Sequence, residues 1–578
     1  MKLIISQYLA SLRERDELDI ILPDLLSELG LTVFSRPGRG TTQDGVDVAA
    51  VGSLNGEPEK IYLLSIKSGD LTRSTWSGDS HQALRPSLED IIDAYIPNRL
   101  PVQHKNKEIV ICLCFGGLIN EQVRPKVEGF IARNTLENIC FEEWNGDFIA
   151  DLIMQGFLKE ELLPIDARSM LRKSLALIDE PEYSYQHFCR LVYWLSNQET
   201  KNDKESLTLL RQLNICLWIL FSWCRDANNL EPAYLASEIT LLNAWEIAKS
   251  HRASNLKVSK SIMSTFSSCL RTYQTVTNEY LNKCVTPHVG RRHAISNAVN
   301  PMCKFDVNLK LFDLLSRLSI QGIWLSNEIR QNYDKSEIIS DNLINNLHEN
   351  FDAVKKLICN NPVLLSPYKD DQAIDIAIAI YSLSLDQSNM TFIKDWLKEL
   401  IQRAQFSYEA NGIFPSNTSD YSKLITLGER QTKEQKEELT KSSVLYPLIS
   451  TVASLYKMED ISKAVGDFYE KSLSHGAMQY WYPLADTEDF LYTNKRKHGG
   501  VLHPIDLSGK DADRLERVFD ECINSEYYNE LSAVEDRLEP LIAVACRHYR
   551  YPLPMYFWLD DYKLFKEQLN SVEAAINS

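Results

Sequence analysis

Two neighbouring segments near the N-terminus contain the residues whose types and spacing are best suited to chemistry. Asp47 lies in GVDVAAVGSL, and Ser65 and Lys67 lie in KIYLLSIKS. The intervening NGEPE is rich in turn formers, which predicts a β-hairpin. If the strands pair symmetrically about this turn, Leu54 lies opposite Lys60 and Asp47 opposite Lys67. Because strand side chains alternate between faces, Ser65 then shares one polar face with this acid and base.

An acid opposite a lysine has two interpretations. In metal-assisted hydrolysis of a phosphodiester, a carboxylate holds Mg²⁺ or Mn²⁺, the cation neutralises the phosphate, and a lysine positions or activates the attacking water. The same pair is also a common ion pair on the exposed face of any sheet. The surrounding sequence is therefore needed to choose between a catalytic site and a structural contact.

The surrounding sequence resembles the PD-(D/E)-X-K restriction-endonuclease-like superfamily, in particular its Mrr-like and phage-defence nucleases. The plan of that family is a glutamate on the first helix, a GxD segment, a hairpin, and then X-x-Lys. The matching residues are Glu17, Gly45-Val46-Asp47 and Ser65-Ile66-Lys67. A helix that holds Gln82 and the late segment EEWNGDFIADLI also follow the family's order, so the resemblance covers about residues 8 to 160.

The resemblance implies a restriction-endonuclease-like α/β fold for residues 1–164, with a metal site inside it. In the family's pattern, Asp47, Glu17 and the backbone carbonyl of Ile66 would hold Mg²⁺ or Mn²⁺, and Lys67 would orient the nucleophilic water. The resemblance further implies an endonuclease that acts on DNA rather than RNA and that belongs to bacterial anti-phage defence.

One position departs from the family's pattern. Ser65 stands where Glu, Asp or Gln is usual, and a serine hydroxyl is a poor ligand for a hard cation. Glu17 is the expected substitute, with Asp44 and Gln82 as weaker accessory candidates, and Ser65 stays in the predicted catalytic set beside Asp47. The alternative is a degenerate nuclease fold that no longer cuts and acts as a scaffold that binds nucleic acid or protein.

The elements that must position these residues are predicted in the order helix, three strands, helix, strand, helix, strand, helix. Residues 8–29 have apolar side chains at helical spacing and stop at Gly30, a common helix terminator. LTVFSR and the hairpin segments predict the first three strands, and residues 80–95 predict a helix. KEIVICLCFGG is typical of a buried central strand, a helix follows from about Asn120, and ENICFEEW and NGDFIADLIMQGFL predict the last strand and helix.

From about residue 165 the pattern changes to amphipathic segments of helical period, which predicts an α-helical sensor or assembly region over residues 165–578. A sub-boundary is expected near 408–440, and no repeat of fixed length is visible. The longest apolar run, Leu213 to Cys224, is too short to span a bilayer and predicts a buried helix. The predicted fold class is therefore an α+β multidomain protein. A third interpretation, besides the nuclease and the degenerate scaffold, assigns the main function to the helical part.

Composition limits the partners. The chain of 578 residues has a net charge of −17, so contact with nucleic acid must be local. Lys495, Arg496 and Lys497 form a basic loop that is a candidate for contact with phosphates or an acidic partner. The alternative is a solvated loop without a binding role.

Twelve cysteines without a CxxC pair, and no export signal, favour a cytoplasmic location and no association with a membrane. A protein partner or homo-oligomer is expected from the size of the helical region.

Overall fold

The computed structural model describes the chain except for a set of short gaps. The gaps are residues 1–4, 7–8, 11, 13, 15–17, 37–43, 55, 79–82, 157–164, 199–201, 300, 302, 336–338, 419, 427–430, 494–498, 503–504, 512, 526 and 577–578. The protein is a mixed α and β structure, with one five-stranded sheet near the N-terminus and a large helical remainder. It divides into two compact units, Met1–Thr277 and Asn278–Ser578.

The sheet of the first unit is mixed, and its strands lie side by side in sequence order. The strands are β1 (Thr32–Ser35), β2 (Val48–Gly52), β3 (Lys60–Lys67), β4 (Ile109–Phe115) and β5 (Ile139–Trp144). The first three form an antiparallel meander, whereas β3, β4 and β5 are parallel. Parallel neighbours need a crossover connection, and helices supply it here between β3 and β4 and between β4 and β5.

The helices around the sheet follow the predicted order. They are α1 (Asp19–Glu28), α2 (Arg73–Ser77), α3 (Leu84–Asp90, continued by a π-helical turn at Ile91–Tyr95), α4 (Arg124–Asn134) and α5 (Gly146–Gly156). A capping box at Thr72 begins the short helix α2, which the sequence pattern did not predict. The predicted sequence of helices and strands is otherwise confirmed.

The sheet forms the centre of the hydrophobic core in the N-terminal part of the chain. Every residue of its strand β4 is buried, as the continuous apolar run predicts. Ile61 and Leu63 of β3 join one apolar cluster with Ile111 and Leu113 of β4, and Leu88 of α3 packs in the same cluster. Burial on both sides of the sheet restricts solvent access to the strand ends, which is where a site must lie.

The register of the β2/β3 hairpin differs from the prediction by two residues. Gly52 pairs with Lys60, and Val48 pairs with Leu64, so the predicted pairing of Leu54 with Lys60 is wrong. The connection has an internal turn in which the amide of Glu57 donates to the carbonyl oxygen of Leu54 at 3.0 Å. The strands therefore end earlier than the symmetric hairpin predicts. A shift of two residues leaves every strand residue on its predicted face, because side chains alternate with a period of two.

The rest of the first unit is helical and contains the predicted buried helix. Its helices are α6 (Ile165–Ala176), α7 (Pro181–Ser196), α8 (Asp203–Asp226), α9 (Glu231–Ala248) and α10 (Lys257–Tyr280), whose last turn passes the boundary between the units. Among the described helices, α8 is long and apolar enough to cross a membrane, but 78% of its most apolar window is buried inside the fold. A core helix has the same properties, so the helix is a weak indication of a membrane span.

The second unit is mainly helical. Its helices are α11 (Ala294–Ala298), α12 (Lys304–Asp334), α13 (Asp341–Asn360), α14 (Ala373–Ser384), α15 (Met390–Glu409), α16 (Tyr421–Thr426), α17 (Lys433–Leu439), α18 (Leu445–Leu455), α19 (Glu459–Phe468), α20 (Arg514–Asn524), α21 (Ser532–Glu535), α22 (Pro540–Tyr549) and α23 (Leu559–Ile576). The predicted all-α character needs one correction. Two small two-stranded sheets also occur, one of β6 (Ser442–Ser443) and β7 (Ala477–Met478), the other of β8 (Tyr480–Tyr482) and β9 (Gly500–Leu502).

The predicted domain boundary at residue 164 falls where the sheet-bearing part ends and the helices begin. It lies at the edge of the gap at 157–164, inside the first compact unit, and stays a prediction. The expected sub-boundary near 408–440 also stays a prediction, and the helices α16 and α17 occupy part of that stretch.

Candidate functional site

Asp47 lies immediately before β2 and is tied to β3 by both its backbone and its side chain. Its amide donates to the carbonyl oxygen of Leu64 at 2.9 Å. Its Oδ2 accepts a hydrogen bond from the amide of Ile66 at 2.7 Å, so the carboxylate takes the place of a backbone carbonyl in the ladder. This contact fixes the acid beside the last residues of β3, directly before Lys67 in the chain.

Lys67 ends β3 and is largely buried, with 9% of its side chain exposed. Its Nζ lies 3.0 Å from Oε1 of Glu14, whose side chain is 32% exposed. Burial of an ammonium group is costly unless an opposite charge lies close by, and Glu14 provides that charge. The register of the hairpin does not place Lys67 directly opposite Asp47, and the ammonium group of Lys67 forms an ion pair with Glu14 of the N-terminal segment.

Glu14 was not predicted as a site residue. The resemblance pointed instead to Glu17, which lies in the gap at 15–17 and so outside the described residues. Residues three apart share one face of a helix, and the pattern over 8–29 is helical. The spacing of three residues between Glu14 and Glu17 is the signal in the sequence that identifies Glu14 as an equal candidate.

Close backbone contacts at the ends of the parallel strands hold the N-terminal segment in place. A Cβ atom added at Gly116, the residue after β4, would lie 2.0 Å from the carbonyl oxygen of Leu9. One added at Gly146 would lie 2.1 Å from the carbonyl oxygen of Gly116. Only glycine permits such approach, and the side chain of Ser6 adds a hydrogen bond of 2.8 Å to Asp147. The segment that contains Glu14 is thus packed against the carboxyl ends of β4 and β5.

Ser65 is fully buried, and its Oγ has no hydrogen-bond partner among the described residues. In the parallel pairing it lies beside Leu113 of β4, which belongs to the apolar core. An unpaired buried hydroxyl costs stability, on the order of 1 to 3 kcal/mol. Ser65 thus lies beside the site as predicted, but its buried hydroxyl forms no hydrogen bond with the residues that the structure describes.

Two buried thiols of β4 lie behind the site. The pKa of Cys114 is raised well above the ordinary value by burial and, to a smaller extent, by the carboxylate of Asp47. Burial likewise raises the pKa of Cys112. These cysteines stay protonated and act as core residues.

The remaining predicted residues are either engaged elsewhere or outside the described residues. Asp44 has a left-handed backbone conformation, with φ of 46°, and its carboxylate pairs with Nε of Arg99 at 2.5 Å, so its accessory role stays a prediction. Gln82 lies in the gap at 79–82. Lys495, Arg496 and Lys497 lie in the gap at 494–498.

The donor set at the end of β3 has the chemistry of a site for a hard cation. Asp47 and Glu14 are carboxylates, and oxygen ligands are those that Mg²⁺ and Mn²⁺ prefer. No group of three or more His, Cys, Asp or Glu side chains in metal-binding proximity occurs among the residues that the structure describes. A cation here would therefore need a ligand beyond these two carboxylates, for which the Ile66 carbonyl and Glu17 remain the predicted candidates.

Comparison with known proteins identified no relative: no protein-family model, no curated protein and no solved structure matches this chain.

Proposed function

We propose that the sheet-bearing part of the chain is a metal-dependent nuclease of restriction-endonuclease-like fold that acts on DNA. The observation that carries the proposal is the position of Asp47, whose carboxylate binds the amide of Ile66 next to the buried Lys67. An acid held rigidly beside a lysine at a strand end is the arrangement that metal-assisted phosphodiester hydrolysis needs.

The topology supports the same proposal. A helical N-terminal segment, an antiparallel meander of three strands, and then two parallel strands follow one another in the order that the resemblance implies. The active sites of parallel sheets lie outside the carboxyl ends of the strands. Lys67 is at the carboxyl end of β3, and the loops after β4 and β5 meet at the same edge.

The chain's own residues have distinct roles in the proposed reaction. Asp47 and Glu14 are the described donors that would hold Mg²⁺ or Mn²⁺, with Glu17 and the Ile66 carbonyl as further candidates. The bound cation would neutralise the phosphate and lower the pKa of a water molecule. Lys67 is directed by Glu14, and its ammonium group orients the attacking water or stabilises the charge that develops on the phosphate.

A second candidate function rests on Ser65. Its hydroxyl is buried beside Leu113 with no hydrogen-bond partner in the described part of the chain, at the position where the family usually places Glu, Asp or Gln. This favours a nuclease fold that has lost cutting and serves as a subunit that binds nucleic acid or protein. Metal binding and cutting distinguish the two candidates.

The surroundings of the enzyme are also part of the proposal. We infer a cytoplasmic protein of bacterial anti-phage defence, in which the helical region senses, assembles with copies of the chain, or binds a partner protein. The net charge of −17 supports a protein that approaches DNA through a local surface rather than its whole exterior.

The test compares the wild type with Asp47→Asn and Lys67→Met on plasmid, linear and single-stranded DNA and on RNA, with Mg²⁺, Mn²⁺ or EDTA. Lys60→Met is the matched control, because Lys60 lies on the same strand and also pairs with glutamates, Glu57 and Glu108. Metal-dependent cutting that both site variants lose and the control keeps would establish the nuclease. Absence of cutting on every substrate, together with no Mn²⁺ binding by calorimetry, would instead support the second candidate, a subunit that binds nucleic acid or protein without cutting.

A further inference from the structure

A cleft in the second unit contains a buried arginine that forms no ion pair with any of the described residues. The cleft measures about 420 Å³ and is lined in part by residues of α18 and α20. Arg514, the first residue of α20, is 8% exposed and lines the cleft. Its Nη2 donates to Ser454 Oγ at 3.0 Å and to the carbonyl oxygen of Ser450 at 3.4 Å, and both acceptors are neutral.

Other buried arginines of the same unit show what Arg514 lacks. Arg547 and Arg317 are 4% and 5% exposed, and both pair with Asp313, at 2.5 and 3.2 Å. No carboxylate of the described part of the chain forms such a pair with Arg514, and its Nε is buried without a hydrogen-bond partner. A buried charge without an opposite charge opposes folding, so stability does not account for this arginine.

The acids that line the cleft do not neutralise Arg514. Asp511 pairs with Arg517, and Glu516 pairs with Lys566 at 2.5 Å. The third lining acid, Asp513, is exposed to water, where its charge is screened.

Asp506 is a further acid near Arg514 and is also engaged. Its Oδ1 accepts a hydrogen bond from the amide of Ser508 at 2.8 Å. This bond is the main reason that the pKa of Asp506 is lowered, and the charge of Arg514 is the smallest of the causes. The carboxylate is therefore fixed in its own loop.

The rest of the cleft wall is largely apolar. Leu507, Leu515 and Phe565 line it together with Tyr562. The ring of Tyr562 is held in place by stacking on Phe519, with ring centroids 4.3 Å apart and planes 10° apart. The cleft thus combines one unneutralised cation with a rigid aromatic and aliphatic surface.

We propose that this cleft binds a small molecule that carries one oxyanion group, a phosphate or a carboxylate, on an apolar or aromatic body. The guanidinium group of Arg514 has several donors in a planar fork, which matches the geometry of either oxyanion. The apolar wall beside Phe565 covers the body of the ligand. The site lies in the helical unit and is independent of the nuclease proposal.

The experiment uses saturation-transfer NMR on the full chain with phenyl phosphate and benzoate as probes. Benzyl alcohol is the neutral probe of similar size, and inorganic phosphate is added as a competitor. We expect signals from one or both anions and none from benzyl alcohol. Binding of phenyl phosphate alone would identify the oxyanion as a phosphate, and binding of benzoate alone as a carboxylate.

Variants connect this binding to Arg514. Arg514→Met is expected to abolish the anion signals and to leave the melting temperature of the ligand-free protein unchanged or higher. Arg547→Met is the matched control, expected to lower the melting temperature because it leaves Asp313 with less compensation. Arg514→Lys retains the charge without the planar fork, and we expect about tenfold weaker binding from it.

The proposal is overturned if neither anion gives a signal with the wild type, or if benzyl alcohol gives the same signal as the anions. It is equally overturned if the anion signals persist unchanged in a folded Arg514→Met protein. Should that variant fail to fold, Arg514→Lys decides: unchanged affinity for phenyl phosphate and benzoate in this variant would also contradict the assigned role of the guanidinium group.

Discussion

The carboxylate of Asp47 accepts a hydrogen bond from the amide of Ile66 at 2.7 Å, in place of a backbone carbonyl. The acid is therefore part of the sheet as well as part of the candidate site. The same carboxylate therefore stabilises the sheet and is a candidate metal ligand. Two different substitutions at Asp47 can separate its effect on stability from its effect on metal binding.

Asp47→Ala is expected to destabilise the protein by about 1 to 3 kcal/mol, because the amide of Ile66 loses its acceptor. Asp47→Asn retains an acceptor oxygen and should cost less than half as much, while it removes the negative charge that a cation needs. Urea denaturation measures the stability difference, and Mn²⁺ titration measures the loss of metal binding. Equal destabilisation by both substitutions would contradict the assigned hydrogen bond.

Glu14 and Lys67 are expected to act as a unit, since their ion pair joins the N-terminal segment to β3. Lys67 is the more buried partner, so Glu14→Gln leaves a poorly solvated ammonium group without its counter-ion. We expect each single variant to reduce stability, and the double variant Glu14→Gln/Lys67→Met to cost about 1 kcal/mol less than their sum. A double-mutant cycle in urea checks this, and additive effects would show that the pair contributes nothing.

Glu14 and Glu17 are competing candidates for the first-helix acid. If Glu14 is a metal ligand, Glu14→Gln lowers Mn²⁺ affinity about tenfold or more, whereas Glu17→Gln leaves it within about twofold. Calorimetric titration of the two variants under the same conditions makes the comparison. A loss of Mn²⁺ affinity in Glu17→Gln alone would show that Glu17, the residue that the family resemblance implies, is the metal ligand.

Ser65→Ala is expected to be neutral or to stabilise the protein by up to about 1 kcal/mol, because it removes a buried hydroxyl that forms no hydrogen bond with the described residues. The substitution creates little space, since only one oxygen atom is lost. Thermal and urea denaturation test the stability, and the cutting assay tests the chemistry. Marked loss of cutting in a stable Ser65→Ala protein would show that the hydroxyl contacts the metal or the substrate.

Asp370 makes the stability of the protein depend on pH. Asp370 is buried, and burial raises its pKa from the ordinary value of 3.8 to about 6, against the opposing effect of the hydrogen bonds from Ser443 and the amide of Val444. Since the folded state binds the proton more tightly than the unfolded state, this contribution is fully present below about pH 4 and is lost as pH rises to about 6.

The corresponding experiment compares the wild type with Asp370→Asn, which keeps an acceptor for Val444 and has no charge. We expect the free energy of unfolding of the wild type to fall relative to that of the variant by about 2 kcal/mol between pH 4 and pH 6.5. Denaturation at several pH values in this range measures it. A constant difference across the range would contradict the raised pKa.

Much of the sheet-bearing part was predictable because its signals are local. The continuous apolar run of β4 and the alternation in the hairpin segments arise because each residue either faces the core or does not. Such a pattern can be recognised from a few consecutive residues. The buried helix around Leu213 to Cys224 has the same kind of signal. The short helix α2 was missed, because its capping box at Thr72 begins a helix of only five residues.

The sequence by itself determined the order of helices and strands in the N-terminal part and the faces on which Ser65 and Lys67 lie, since both follow from local periodicity. Only the tertiary structure decided that Gly52 lies opposite Lys60, because the internal turn of the hairpin loop sets the register. It also decided that Lys67 pairs with Glu14. That partner depends on how closely the backbone at Leu9 approaches Gly116, a contact between distant parts of the chain that no local pattern encodes.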